Sequence, residues 1–182
     1  MQKDFILGVG CQKGGTTWLW NQLSSHETFD FGFKKEYHVF DILYGSGEKP
    51  KSKVNFRQFL RKYILYKPNK TKPYSYKRDY FLLDQKHYFD YFNSLFLNNN
   101  KLTTTGDITP AYAGLPKEAF KQIKENLEEK NFKVKVIFLM RDPIERILSQ
   151  GRMLIRNYKN GTIKIPAYKL KIDFILEDSY KK

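Results

Sequence analysis

Asp4-Phe5-Ile6-Leu7-Gly8-Val9-Gly10, running into Cys11-Gln12-Lys13-Gly14-Gly15-Thr16-Thr17-Trp18, is the stretch that decides the fold. Its first seven residues form a short apolar run closing on glycine, the pattern of a buried parallel strand. A glycine loop at residues 11–15 then opens a helix over 16–25, with Thr16 as the expected N-cap and Leu19 and Leu23 on one face. Strand, glycine loop and helix in that order gather backbone N–H groups and the positive end of a helix dipole around one point, which suits a phosphate-like anion. Gly14 and Gly15 permit close backbone approach, and Thr16 and Thr17 add hydroxyl donors. A glycine-rich turn that holds no ligand is the plainer alternative.

Downstream, residues 29–33 read as a second strand and 56–66 as a helix capped by Asn55. Residues 67–77, with two prolines among lysines and tyrosines, read as a loop. Helical spacing returns over 86–97, stopped by Asn98-Asn99-Asn100. A polar amphipathic helix is predicted over 117–130 with Pro116 at its first turn, and a central strand over 133–140. Asp142 is the expected N-cap, and Pro143 the first residue, of a helix reaching about 158. A polar turn at 159–162 precedes a final helix near 167–177. Strands alternating with helices predict an α/β protein with a parallel sheet.

The 182 residues suit one domain spanning 1–182, and 41% hydrophobic with 16% aromatic content argues for a packed core over a basic tail. A single cysteine, Cys11, excludes an internal disulfide framework. The longest uncharged apolar run, 136–140, is far too short to cross a bilayer, so no membrane span is expected. The opening Met1-Gln2-Lys3-Asp4 leaves no room for a signal peptide before the glycine loop, and a cytoplasmic protein is expected. Net charge is +14, and much of it lies in residues 49–101, where thirteen Lys and Arg face three Asp. Such a lysine-rich insert fits an anionic partner, or simply a solvated surface.

The loop's spacing approaches a Walker A sequence, but Thr16 stands where that motif has lysine, and Lys13 precedes Gly15 by two residues. Lysine followed by Gly-Gly-Thr-Thr after a strand instead resembles the sulfotransferases that use 3′-phosphoadenosine 5′-phosphosulfate (PAPS). In that family the loop holds the phosphosulfate, and a lysine at the place of Lys13 neutralises the bridging oxygen. A second segment carries the same resemblance: Val136-Ile137-Phe138-Leu139-Met140-Arg141-Asp142-Pro143, followed by Ser149. There the resemblance implies that Arg141 and Ser149 hold the donor's 3′-phosphate.

Lys34-Lys35-Glu36-Tyr37-His38-Val39-Phe40-Asp41 is similar to the Lys-Glu-x-His stretch of carbohydrate sulfotransferases, the heparan sulfate enzymes included. The resemblance makes Glu36 the general base and His38 the residue that orients it or touches the acceptor. An ordinary helix-start glutamate and a packed core histidine are the plainer alternatives. Gly106-Asp107-Ile108-Thr109-Pro110-Ala111-Tyr112 resembles the family's Glu-Lys-[Ser/Thr]-Pro-x-Tyr segment, with Ile108 in place of the lysine. That departure points away from heparan-like acceptors.

The resemblance thus implies a three-layer fold like that of P-loop NTPases, its C-terminal lid region missing or shortened. Glu36, Lys13 and His38 would be catalytic, and Gln12, Lys13, Gly14, Gly15, Thr16, Thr17, Trp18, Arg141 and Ser149 would bind the donor. It implies sulfuryl transfer from PAPS, by in-line displacement, to an acceptor hydroxyl, with a carbohydrate favoured and 3′-phosphoadenosine 5′-phosphate (PAP) released. Neither a metal nor nucleic acid is expected. The alternatives are a P-loop nucleotide kinase, with Asp142 holding a metal, and a non-catalytic protein that binds nucleic acid or another polyanion.

Overall fold

A computed structural model describes residues 3–45, 56–57, 59–60 and 73–162. Strands β1 (Lys3–Gly10), β2 (Thr104–Ile108) and β3 (Phe132–Phe138) form one parallel sheet in the order β2-β1-β3. Among them run helices α1 (Thr16–Ser24), α2 (Phe40–Leu43), α3 (Pro73–Leu83), α4 (Lys86–Asn98), α5 (Lys117–Glu129) and α6 (Pro143–Lys159), and a 3-10 turn at Pro110–Gly114.

The central strand β1 explains the layering. Successive side chains leave opposite faces of a strand, and both faces of this one are apolar. Phe5, Leu7 and Val9 enter the larger core with Tyr88 and Phe92 of α4 and Ile123 and Leu127 of α5. Ile6 enters a smaller cluster with Phe31 and Ile108, bordered by Leu19, Trp20 and Leu23 of α1. Helices therefore cover both faces of the sheet, as a continuous apolar strand requires. Burying a side chain such as Phe5 or Leu7 contributes roughly 1.5–3 kcal/mol. The Phe5 ring meets Phe92 edge-on at 5.1 Å.

Glycine sets the β1–β2 spacing. Gly106 lies opposite Ile6, and a Cβ on it would come within 2.2 Å of the Ile6 carbonyl oxygen. Only a residue without a side chain fits that approach.

Several expectations are corrected. Residues 29–33 form no strand: a single bridge joins Phe29 to Thr104. The Asp30 carboxylate accepts from the Gly32 N–H at 2.7 Å, turning the chain where an extended run would continue. Part of the expected loop at 67–77 is helical, since Pro73 opens α3, and a first helical residue needs no N–H. β3 ends at Phe138 and lies at an edge of the described sheet rather than its centre, leaving Val136 and Phe138 exposed. Pro116 is the N-cap of α5, not a residue of its first turn. Of the expected helix at 56–66, residues 56–57 and 59–60 are described and helical. The expected helix near 167–177 lies outside the described residues, as does much of the lysine-rich insert. Among the described residues, no helix is long and apolar enough to cross a membrane.

Candidate active site

At the end of β1 the chain turns sharply. Cys11 N–H donates to the Leu139 carbonyl and Leu139 N–H to the Gly10 carbonyl, both at 2.9 Å, so the loop mouth is pinned to the segment after β3. Gly14 N–H closes on the Cys11 carbonyl at 2.9 Å. Gly15, not Thr16, is the N-cap of α1, at φ +100°. Glycine reaches that left-handed backbone at little cost, whereas threonine would be strained there. No side chain caps α1, so its first-turn N–H groups keep the donor capacity that a bound anion would use.

Opposite the loop stands the segment from Lys35 to Asp41. Its backbone is held from beneath by a buried polar cluster centred on Asp107. The Asp107 carboxylate accepts from the hydroxyls of Thr109 at 2.6 Å, Tyr112 at 2.8 Å and Tyr88 at 3.0 Å. Thr109 Oγ1 also accepts from the Tyr37 N–H at 3.0 Å, and the Tyr112 hydroxyl accepts from the Val39 N–H at 3.2 Å. The residues on either side of His38 are thereby fixed, while His38 itself holds φ +53°. Burial pushes the Asp107 carboxyl up to about 6, against the hydrogen bonds that favour its charged form.

Held this way, the side chains above form a chain of charge. Glu36 Oε2 lies 3.2 Å from His38 Nε2, and His38 Nδ1 lies 2.7 Å from Asp41 Oδ2. Hydrogen bonding to Asp41, then to Glu36, raises the imidazole to about 9, so it is protonated at neutral pH and both ring N–H groups donate. The hydrogen bond from His38, then that from Lys35, holds Glu36 down at about 2 despite partial burial. Lys35 Nζ reaches Glu36 Oε1 at 2.6 Å, Thr17 Oγ1 at 3.0 Å and Thr16 Oγ1 at 3.1 Å.

The third wall comes from the start of α6. Asp142 caps that helix by accepting from the Glu145 N–H at 2.9 Å. Arg141, just before it, donates through one nitrogen to the Lys13 carbonyl at 3.3 Å and through the other to Glu145 Oε2 at 3.2 Å.

These walls enclose a cavity of about 410 Å³, within the range of small-molecule sites. Of the residues expected from sequence, Gln12, Lys13, Gly15, Thr16, Thr17, Glu36, His38, Arg141 and Ser149 line it. Gly14 and Trp18 do not: the N–H of Gly14 is spent inside the loop, and Trp18 is 65% exposed. Two contributors, Lys35 and Asp41, carry no role in the sequence reading, and a third, Asp107, has its role only through the fold. Lys35 adjoins Glu36, and Asp41 lies three residues beyond His38, a spacing that could have flagged it. Asp107 matched a motif, but its link to Tyr37 and Tyr88 exists only in the fold. Lys13 and His38 are two of the three described non-glycine residues at positive φ, and such strain gathers at functional sites. Among the described residues, no group of three or more His, Cys, Asp or Glu is placed to hold a metal ion.

Comparison with known proteins finds no matching family model and no matching curated relative.

Proposed function

We propose that the chain is a PAPS-dependent sulfotransferase, built on a P-loop-like three-layer fold and acting on a hydroxyl, with a carbohydrate favoured. The observation that carries this reading is the meeting, in one cavity, of a glycine loop, a Glu–His pair and an Arg–Ser pair drawn from distant parts of the sequence. The residues present fit such a donor: an uncapped helix start, four cations at Lys13, Lys35, His38 and Arg141, and one ionised carboxylate beside them.

When bound, the donor supplies an activated sulfuryl group. Lys13, Gly15, Thr16 and Thr17 hold its anionic end through backbone N–H groups and the hydroxyls of the two threonines. Lys13 places a compact positive charge where negative charge grows on the departing oxygen. Glu36 accepts the acceptor's proton, oriented by His38, which Asp41 holds in turn. Arg141 and Ser149 take a second phosphate.

The deciding measurement is calorimetric binding of adenosine 3′,5′-bisphosphate against AMP. A strong preference for the bisphosphate, with sulfate transfer from PAPS to a hydroxyl acceptor, supports the reading. Equal affinity overturns the donor assignment. Magnesium-dependent ATP turnover without sulfate transfer would mark a kinase, and nucleic-acid binding that collapses with salt, with no preference for the bisphosphate and no sulfate transfer, would mark a polyanion binder.

A further inference from the structure

We propose that Lys35 couples occupancy of the anion loop to release of Glu36, so that the carboxylate is freed to act as a base when an anion sits on Thr16 and Thr17. The role given to Glu36 rests on the reading above; the coupling itself concerns any anion of the phosphate class.

An ammonium has three N–H donors, and that of Lys35 has three acceptors in reach: Thr16 Oγ1, Thr17 Oγ1 and Glu36 Oε1. Its side chain is only 16% exposed, which limits competition from water. Two of those acceptors belong to the first turn of α1, where no side chain supplies a cap. An anion arriving there meets Lys35 at once, and an ionised oxygen is a far stronger acceptor than a hydroxyl. The ammonium can pivot toward it because lysine carries a compact charge on a flexible stem, unlike the rigid fork of arginine.

Whatever Lys35 gives to the anion it withdraws from Glu36 Oε1. Glu36 then keeps His38 alone as a charged partner, and its proton affinity rises. In the resting arrangement Glu36 is paired on both oxygens, a poor state for a general base. Filling the loop would thus lift one of the two restraints on the base, the pairing with His38 remaining.

Linkage makes this reciprocal: if an anion loosens Glu36, neutralising Glu36 must strengthen anion binding. The test is calorimetry with inorganic pyrophosphate on the wild-type chain, Glu36→Gln, Lys35→Met and the double variant. Glu36→Gln should tighten binding about 5-fold or more, and Lys35→Met should weaken it about 10-fold or more. In the Lys35→Met background, Glu36→Gln should change affinity by less than about 2-fold, because the shared cation is gone. If it tightens binding equally in both backgrounds, the effect is simple charge repulsion and the coupling is wrong. The wild-type chain gives a second readout in case Lys35→Met does not fold. The ¹³C carboxyl shift of Glu36 should titrate at higher pH with pyrophosphate bound than without, and an unchanged midpoint overturns the proposal. Pyrophosphate carries no 3′-phosphate and no sulfuryl group. An additive cycle therefore sinks the coupling and leaves the sulfotransferase reading standing, whereas equal binding of the bisphosphate and AMP does the reverse.

Discussion

The Arg141 guanidinium donates to the backbone carbonyl of Lys13 at 3.3 Å, across 128 residues of sequence. This contact joins the loop after β1 to the start of α6, so both halves of the candidate nucleotide site sit in one frame. Glu145 occupies the other side of the guanidinium at 3.2 Å, which aims Arg141 beside the loop before any ligand arrives.

Arg141→Ala is expected to weaken binding of adenosine 3′,5′-bisphosphate roughly 10- to 100-fold, the worth of a charge-assisted hydrogen bond. AMP, which lacks the 3′-phosphate, should lose less than about 3-fold by the same logic. Paired titrations of the two nucleotides check this. Parallel losses would mean that Arg141 only shapes the loop.

Glu36→Gln preserves shape and removes the proton acceptor. Sulfate transfer should fall by roughly 10²- to 10⁴-fold, the usual contribution of a positioned base. Nucleotide binding should persist and, by the Lys35 coupling, tighten. Radiolabelled sulfate transfer beside calorimetry separates the two effects.

His38 offers a pH signature. Its folded value, raised to about 9 from 6.5 by Asp41 and Glu36, means that folding favours the protonated ring. The stabilisation is complete below about 6.5 and is lost as pH rises through about 9. In NMR titration the ring signal should turn over near 9, and Asp41→Asn should bring it back toward 6.5. A wild-type midpoint near 6.5 would contradict the hydrogen-bonded chain.

Asp107 behaves in the opposite region. Burial raises it from 3.8 to about 6, so folding takes up a proton there and stability falls as pH rises from about 4 to about 6. Asp107→Asn should abolish that slope. It should also cost about 1–3 kcal/mol, because an amide cannot accept from Thr109, Tyr112 and Tyr88 as a carboxylate does. Thermal melts across pH 4–7 provide the check.

Gly106→Ala is expected to destabilise the sheet by roughly 1–3 kcal/mol or more, as overpacking against a backbone atom does. The added methyl group would fall 2.2 Å from the Ile6 carbonyl oxygen, which cannot move without parting β1 from β2. Urea unfolding measures the loss. A neutral effect would place the two strands further apart than described.

Local chemistry alone was enough for much of this molecule. The apolar run closing on Gly10, the glycine loop after it, and the Asp142-Pro143 helix start are encoded within a few residues each, and they appear where the sequence places them. Glycine conformations and helix caps act over short distances, which is why they can be read. The rest depends on contacts, some local and some distant, that outweigh the preference of the single residues. Residues 29–33 look extended in isolation, yet the Asp30–Gly32 turn breaks them. Lys35 looks like one surface lysine among many until the fold sets Thr16 and Thr17 against it. Likewise, Asp107 becomes the support of the Glu36–His38 segment only because α4 brings Tyr88, and the 3-10 turn brings Tyr112, to its carboxylate. Sequence alone thus marked most of the groups that meet at the cavity. Tertiary structure decided which of them share a hydrogen bond, since proton positions and charge depend on neighbours a few ångströms away in space, however far apart they are along the chain.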